Sequence, residues 1–369
     1  MRAMRLERPR PADERPLTLA EIPRPEPGPG EVLIKVRACG VCHTDLHIVE
    51  GELAPHRSPV VPGHQIVGEA VGFGEGAAVS APQSPVAGGA PDLASAPIAL
   101  GSRVGVPWLW RACGTCRFCL RGDENLCENA LFTGYDVDGG FAEYTVAPAD
   151  FVYPLPEMGD LAVAPLLCAG IIGYRCLRLT GVVGAEAAGG ARSTEAAGGA
   201  VRRLGLYGFG AAAHIAVQIA AHAGWDVFVF TRGAEHRALA RELGAVWAGE
   251  TADAPGGDTS IKLDAAIVFA PAGELALDAL RALDRGGTVA LGGIHSSPIP
   301  PIDYPLIYHE RVLRSVANST REDARDLLAV AAQIPIVTEV RVFELEQAND
   351  ALLELKERRI RGAAVLRVG

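Results

Sequence analysis

From about residue 201 the chain alternates short apolar runs with amphipathic ones, and one junction carries glycines at a spacing that narrows the choice of fold. Arg203–Tyr207 reads as a strand, Ala211–Ala223 as a helix, Asp226–Phe230 as a strand, and Glu235–Leu243 as a helix that Gly244 can cap. Leu263–Ala270, Leu275–Leu283 and Thr288–Leu291 continue as strand, helix and strand. Such alternation implies a parallel, doubly wound α/β sheet. Between its first strand and helix lies Gly208-Phe209-Gly210-Ala211-Ala212-Ala213, a G-x-G-x-x-A fingerprint for a dinucleotide with Ala213 in third place. Gly208 supplies the tight turn, and Gly210 lets a pyrophosphate approach the backbone at the helix N-terminus. A lone glycine motif carries little weight, but flanked by a strand and a helix in a βαβ series it is specific. The next strand ends in Thr231-Arg232, with its acidic residue, Asp226, at the opposite end. An acidic group at the strand's end would favour NAD. A hydroxyl and a guanidinium suit a 2′-phosphate and favour NADP. If Arg232 is only a solvated surface charge, NAD binds as well.

The N-terminal part follows another rhythm. Val32, Ile34 and Val36 alternate along 31–37 as one face of a strand, after a turn-rich lead-in from Pro23 to Gly30. Short strands at Ile66–Val71, Arg103–Val106 and Phe141–Val146 suggest a β-rich barrel or sandwich as far as about residue 155. Stretches 75–100 and 181–200, rich in Ala, Gly, Pro and Ser, read as solvated surface loops without chemistry. Ser319-x-x-Glu322 reads as a capping box opening a helix over 320–333. A strand (Val337–Val342) and a helix (Leu345–Glu357) follow and are expected to return to the first domain. The chain of 369 residues, 49% hydrophobic, is long enough for two packed cores.

A net charge of −10 with no basic run argues against nucleic acid or an anionic membrane surface as partner. Met1–Arg15 is too charged for a signal-peptide core, and the Ala-rich stretch near residue 215 is interrupted by His214, Gln218 and His222. The expectation is a cytoplasmic protein whose eight cysteines are metal ligands or buried thiols and not disulfides. Four of them, Cys113, Cys116, Cys119 and Cys127, fall within fifteen residues. Four thiolates close a zinc tetrahedron with no open position, so this is a structural metal site. An iron–sulfur cluster or four free thiols are the alternatives, but the bacterial cluster spacing closes with C-x₃-C-P, whereas Cys127 stands further on and precedes Glu128.

Cys42-His43-Thr44-Asp45-Leu46-His47 is followed some twenty residues later by Gly63-His64. Cys42 and His64 cannot share a helical turn and must converge across the fold, as ligands of a catalytic zinc do; such a site uses three protein ligands and keeps one position open. Thr44, Asp45 and His47 add a hydroxyl, a carboxylate and a second imidazole, parts enough for a proton relay. A turn with a free buried cysteine and satisfied histidines is the plainer reading of a lone Cys and His.

Taken together, the Cys42 cluster, Gly63-His64, the four cysteines, Asp138-Gly139-Gly140-Phe141-Ala142-Glu143 and Gly208-x-Gly210 occur in an order that resembles the zinc-dependent alcohol dehydrogenases of the medium-chain dehydrogenase/reductase superfamily. The resemblance covers almost the whole chain apart from the two low-complexity inserts. It implies a GroES-like, β-rich catalytic domain built from 1–170 and 318–369 around a Rossmann domain at 171–317. It implies Cys42, His64 and Cys168 as catalytic zinc ligands, Cys168 being a choice over Cys176 that spacing alone does not make. It further implies Thr44 and His47 as the relay, Asp45 behind the zinc-bound imidazole, His43 and Ile294 as cofactor contacts, and Leu53 and Trp108 in the substrate pocket. For Leu53 and Trp108 ordinary core packing is a competing reading; Cys39 and Cys176 have no matching role and read as buried thiols. Two departures stand out: Gln65 replaces the Glu that usually follows the histidine ligand, and Ala363 stands where an arginine often meets the cofactor phosphate, with Arg361 nearby.

The resemblance implies reversible oxidation of a primary or secondary alcohol to an aldehyde or ketone, two zinc ions per subunit, NADP or NAD, and a homodimer or homotetramer. An NADPH-dependent aldehyde reductase of the cinnamaldehyde type is the nearer rival, and a non-catalytic, zinc-stabilised nucleotide-binding redox sensor the more distant one. A zinc-free quinone reductase is excluded, since it would lack Cys42, His64 and the cysteine lobe.

Overall fold

The computed structural model describes residues 1–77, 98–184, 201–253, 262–294 and 296–369; most of the two low-complexity stretches read as surface loops lies outside them. Two units divide the chain, Met1–Ile171 with Asn318–Gly369, and Ile172–Ala317.

The first unit opens with an antiparallel pair, β1 (Arg2–Leu6) and β2 (Leu17–Glu21). Its charged residues mask it in the sequence, yet Ala3, Met4 and Leu6 are buried. The central strand is β3 (Glu31–Val41). Val32, Ile34 and Val36 are fully buried along it, each burial contributing about 1.5–3 kcal/mol. It leads into helix α1 (His43–Glu50). Strands β4 (Gln65–Phe73), β5 (Arg103–Val106), β6 (Leu109–Arg111), β7 (Leu131–Phe132), β8 (Tyr144–Pro148) and β9 (Tyr153–Pro154) follow. The strand expected over Phe141–Val146 starts later because Phe141 and Ala142 are engaged elsewhere: Phe141 accepts from the Met4 N–H and Ala142 bridges Ala3. Helix α2 (Asp160–Val163), a 3₁₀ turn (Ala164–Leu167) and helix α3 (Ala169–Leu179) come next, with a 46° bend at Cys168 between the turn and α3. No single helix is long and apolar enough to cross a membrane.

The second unit holds β10 (Arg203–Tyr207), α4 (Ala211–His222), β11 (Asp226–Phe230), α5 (Ala234–Glu242), β12 (Trp247–Gly249) and β13 (Leu263–Val268). It continues with α6 (Glu274–Ala282), β14 (Leu283–Leu291), α7 (Tyr304–Ile307) and β15 (Val312–Ser315). All six strands run parallel in the order β12-β11-β10-β13-β14-β15. The order reverses between β10 and β13, and ligands of such sheets bind outside the carboxyl ends of the strands at that point.

Helix α8 (Arg321–Gln333), β16 (Val340–Glu344), a 3₁₀ turn (Leu345–Gln347), α9 (Ala348–Lys356) and β17 (Ala363–Arg367) belong to the first unit. There β17 pairs with β3, in the sheet order β16-β17-β3-β4-β5-β9 with β8 also on β3. The capping box of α8 sits one residue later than expected, on Thr320 and Asp323. Both frames satisfy the Ser/Thr-x-x-acid pattern, and the one whose residues are buried forms it: Thr320 is 6% and Asp323 0% exposed. The strand expected at Val337–Val342 likewise starts later, at Val340, and the last helix is preceded by a separate 3₁₀ turn.

Candidate active site

The register of β3 on β4 brings the distant cysteine and histidine together. Gly40 pairs with Gln65 and Cys39 with Ile66, so continuing the antiparallel ladder sets Cys42 beside Gly63 and His64. Gly63 has φ 99°, and a side chain there would run into Phe141 and Cys39, so the tight approach requires glycine. Cys42 is the N-cap of α1, its Sγ accepting from the Thr44 N–H at 3.4 Å. Asp45 closes the capping box by accepting from the Cys42 N–H at 2.9 Å. Its other oxygen accepts from the Gly63 N–H at 3.1 Å and faces His64 Nδ1 at 3.0 Å. One buried carboxylate thus starts the helix and fixes the imidazole, placing the His64 N–H on Nδ1 and the lone pair on Nε2. The 46° bend after the 3₁₀ turn presents Cys168 to the same point.

His64 Nε2 lies 3.2 Å and Cys168 Sγ 4.0 Å from Cys42 Sγ, and all three donor atoms fall within 4.8 Å of one another. Tetrahedral zinc, with bonds of about 2.3 Å to sulfur and about 2.0–2.1 Å to nitrogen, needs ligand separations of about 3.5–3.8 Å. The donors bracket that spacing, and their softness suits zinc. Hydrogen bonding from Cys168, the charge of His64 and the Thr44 N–H hold the Cys42 thiol well below its usual range. The shared hydrogen bond with Cys42, together with burial, pushes the Cys168 thiol up, so without a metal the first thiolate sits on Cys42. Burial alone would lower the pKa of His64; the negative charges of Asp45 and Cys42 outweigh it and raise it.

The four cysteines of the 113–127 lobe also lie within 4.8 Å of one another, with Cys119 Sγ 3.9 Å from Cys113 Sγ and 3.6 Å from Cys116 Sγ. Backbone hydrogen bonds from Thr115 and Cys116 bring the Cys113 thiol down to about 6, the ionised form a metal requires. The lobe is tied back to the unit by Glu124, which accepts from the Arg321 backbone N–H at 2.7 Å and from its guanidinium at 3.0 and 2.7 Å.

In the second unit Gly208 has φ 92°, and a Cβ there would sit 2.8 Å from Ala270 at the end of β13. A Cβ on Gly210 would meet nothing within 4 Å, and no side chain caps α4. This is an open cradle before uncapped N–H groups, as a pyrophosphate requires. Ala213 is fully buried. Thr231 closes β11 by donating its N–H to Gly249, and Arg232 is exposed, with no ion pair among the described residues. Ile294 is 47% exposed past β14.

His43 is exposed and His47 half-buried on α1, ring centroids 6.3 Å apart, with Thr44 between them. The Trp108 ring meets the His64 ring in a T-shaped arrangement with centroids 4.9 Å apart, stacks on Phe132 at 4.9 Å and lies 5.9 Å from Tyr135. Leu53 is partly buried against the same core. Cys39 and Cys176 are fully buried. Gln65 is 2% exposed, its side chain filling the space above Gly40. Arg361 pairs with Glu339 at 3.6 Å.

Sequence reasoning missed Phe132 and Tyr135, whose only trace was aromatic residues after the cysteine lobe. It also missed the Glu124–Arg321 clasp, which joins residues 197 positions apart. Glu52 was missed too; its carboxylate meets His47 Nδ1.

Residues 28–157 match the model of the alcohol dehydrogenase GroES-like domain and 211–333 that of the zinc-binding dehydrogenase. A probable alcohol dehydrogenase of Mycobacterium tuberculosis is 47% identical over 368 residues, covering 99% of this chain and 97% of the relative. An alcohol dehydrogenase of Geobacillus stearothermophilus is 34% identical, covering 95% and 96%. Among solved structures, a cinnamyl alcohol dehydrogenase of Sorghum bicolor superposes with a TM-score of 0.80 at 27% identity, covering 99% and 97%. This chain is an oxidoreductase and belongs to the zinc-type alcohol dehydrogenases of the medium-chain dehydrogenase/reductase superfamily.

Proposed function

We propose that the protein interconverts a primary or secondary alcohol and its aldehyde or ketone, using zinc at Cys42, His64 and Cys168 and a nicotinamide dinucleotide. The observation that carries this reading is the donor set itself: three convergent ligands, with a buried carboxylate behind the imidazole. Three protein ligands, unlike the four of the cysteine lobe, leave a coordination position for substrate. Zinc held by these three residues would supply a Lewis acid toward an alcohol oxygen, and a bound nicotinamide dinucleotide would supply the hydride acceptor or donor.

The chain's own groups do the rest. Cys42 and Cys168 as thiolates, with neutral His64, balance the charge of a divalent ion. Asp45 keeps the His64 lone pair on Nε2 and caps α1, so the helix that presents Thr44 and His47 is fixed by the group that orients a ligand. The Thr44 hydroxyl and the His47 imidazole, one turn apart, serve to move the hydroxyl proton toward solvent. Arg232 and Thr231 beyond β11 favour NADP over NAD. A second zinc in the cysteine lobe would be structural.

A second reading has a specific observation in its favour. The Trp108–Phe132–Tyr135 wall beside His64 offers flat faces to an aryl substrate. This favours an aromatic substrate, as the aldehyde-reductase alternative requires; the sorghum neighbour is named a cinnamyl alcohol dehydrogenase.

The test is an activity panel of aliphatic and aryl alcohols and aldehydes with NAD(H) and NADP(H), on protein of measured zinc content. Two zinc ions per chain and turnover with NADP(H) are expected. Cys42→Ala and His64→Ala should abolish turnover while keeping the lobe's zinc. One zinc per chain and no turnover would support the redox-sensor alternative, and near-normal activity in Cys42→Ala would end the catalytic-zinc reading.

A further inference from the structure

Helix α1 stops at Gly51, whose φ of 81° turns the chain back on itself. The Gly51 N–H donates to Ile48 O at 3.2 Å and the Leu53 N–H to His47 O at 3.0 Å. A side chain on Gly51 would also strike Pro9, at 2.9 Å. The reversal carries Glu52 over the last turn of the helix, where its carboxylate takes His47 Nδ1. The imidazole is 14% exposed and the carboxylate 54%, so the pair leads from the half-buried ring out to water.

The neighbouring charges are otherwise engaged. On α1, His43 stands 6.3 Å from His47 between ring centroids, and Glu50 is bound by Lys356 of α9 at 2.7 Å. Lys356 also reaches Asp13 at 3.7 Å, in the short 3₁₀ turn packed on α1. Past α9, Arg358 acts on His43. The Glu52 carboxylate meets the His47 ring at Nδ1.

We propose that Glu52 is a positioning residue for proton transfer through His47: by accepting the Nδ1 proton it keeps the ring's lone pair on Nε2. This rests on the functional reading above. For each hydride taken from the alcohol carbon, one proton leaves the hydroxyl. Nε2 accepts it, the imidazolium is held against the Glu52 carboxylate, and one proton passes to water, restoring the Nδ1–H form. A pair whose carboxylate is this exposed does little for stability. Its effect is on the tautomer, as with the carboxylate behind a catalytic imidazole.

The experiment compares Glu52→Leu and Glu52→Gln with the wild type. Nitrogen-15 NMR of the His47 ring above neutral pH should show the Nδ1–H tautomer in the wild type. Glu52→Leu should shift toward the Nε2–H form that a free side chain prefers in water. At pH 7, kcat for alcohol oxidation should fall roughly tenfold in Glu52→Leu, with KM and zinc content unchanged. The deficit should close as pH rises and solvent base takes over. Glu52→Gln, whose amide oxygen still accepts the Nδ1 proton, should keep most of the rate. An unmoved tautomer, or a loss equal at every pH, overturns the proposal while alcohol turnover by the wild type upholds the functional reading. A wild type that oxidises no alcohol with either nicotinamide overturns both.

Discussion

Replacing Asp45 by Asn tests whether one carboxylate does two jobs. Its oxygens face three donors: Cys42 N–H at 2.9 Å, Gly63 N–H at 3.1 Å and His64 Nδ1 at 3.0 Å, and the residue is 0% exposed. An amide has one acceptor atom. If Asn turns its oxygen toward Gly63 and His64, its NH₂ meets the Cys42 N–H, and α1 keeps the Cys42 cap but loses the Asp45 arm of its capping box. A lost helix-start hydrogen bond costs about 0.5–2 kcal/mol and an unsatisfied buried N–H about 1–3 kcal/mol. The two describe the same group, so about 2 kcal/mol is expected for metal-free protein, a sizeable part of a typical total of about 5–15 kcal/mol. Turned the other way, the amide meets His64 Nδ1, the ring proton moves to Nε2, and the metal-facing lone pair is lost. Either orientation weakens the catalytic zinc, about 10–100-fold by the usual effect of such partners. The assay is urea unfolding of metal-free protein together with zinc competition against a chromophoric chelator, which resolves the two sites. The lobe's affinity should stay put. A variant within about 0.5 kcal/mol and about twofold in zinc affinity of the wild type would refute the double role, as would equal weakening of both sites.

Two pH effects follow from other buried groups. Burial alone would raise the pKa of Glu124, but hydrogen bonds from the Arg321 side chain and backbone, with its charge, bring it below the ordinary range. The unfolded chain therefore holds that proton more readily, so the stabilisation is present above about pH 4.3 and is lost as pH falls through the lower folded value. With Arg321 31% exposed, Glu124→Gln should cost about 2 kcal/mol at pH 7, less than a fully buried pair. The gap to the wild type should narrow as pH falls below about 4.3, and a gap that stays constant on the acid side would count against the clasp. His214, 1% exposed with Nδ1 3.4 Å from Gly210 O, is pushed by burial down to about 4. Here the unfolded chain takes the proton first, from about pH 6.5 downward, and stability falls by up to about 3 kcal/mol by pH 4. In His214→Gln that acid-side loss should shrink, which unfolding of the second unit measured at pH 7 and pH 4.5 would show; an undiminished loss refutes the assignment.

What could be read from the chain before its fold was the part whose partners are close in sequence. Cys113, Cys116, Cys119 and Cys127 announce a metal lobe because the lobe is local, and Gly208 and Gly210 announce a cradle because strand, loop and helix are contiguous. Cys42 and His64 could be seen to need each other, but the device that unites them is the β3–β4 register, which no local pattern contains. Cys168 depends on the bend between a 3₁₀ turn and α3, and residues alone do not separate it from Cys176. The two frames at Ser319 and Thr320 are chemically equivalent on paper, and burial chooses between them. Glu52 was hidden for the opposite reason: it is only five residues from His47, but Gly51 ends the helix and reverses the chain, so helical spacing points away from the pair. Gln65 is the residue where local and distant constraints meet. As a family departure it reads as a charge removed beside the metal, while in the fold it is a neutral side chain filling the space above Gly40. A carboxylate in that closed position would have to be desolvated, so a Gln65→Glu variant would bring a buried charge as well as a family match.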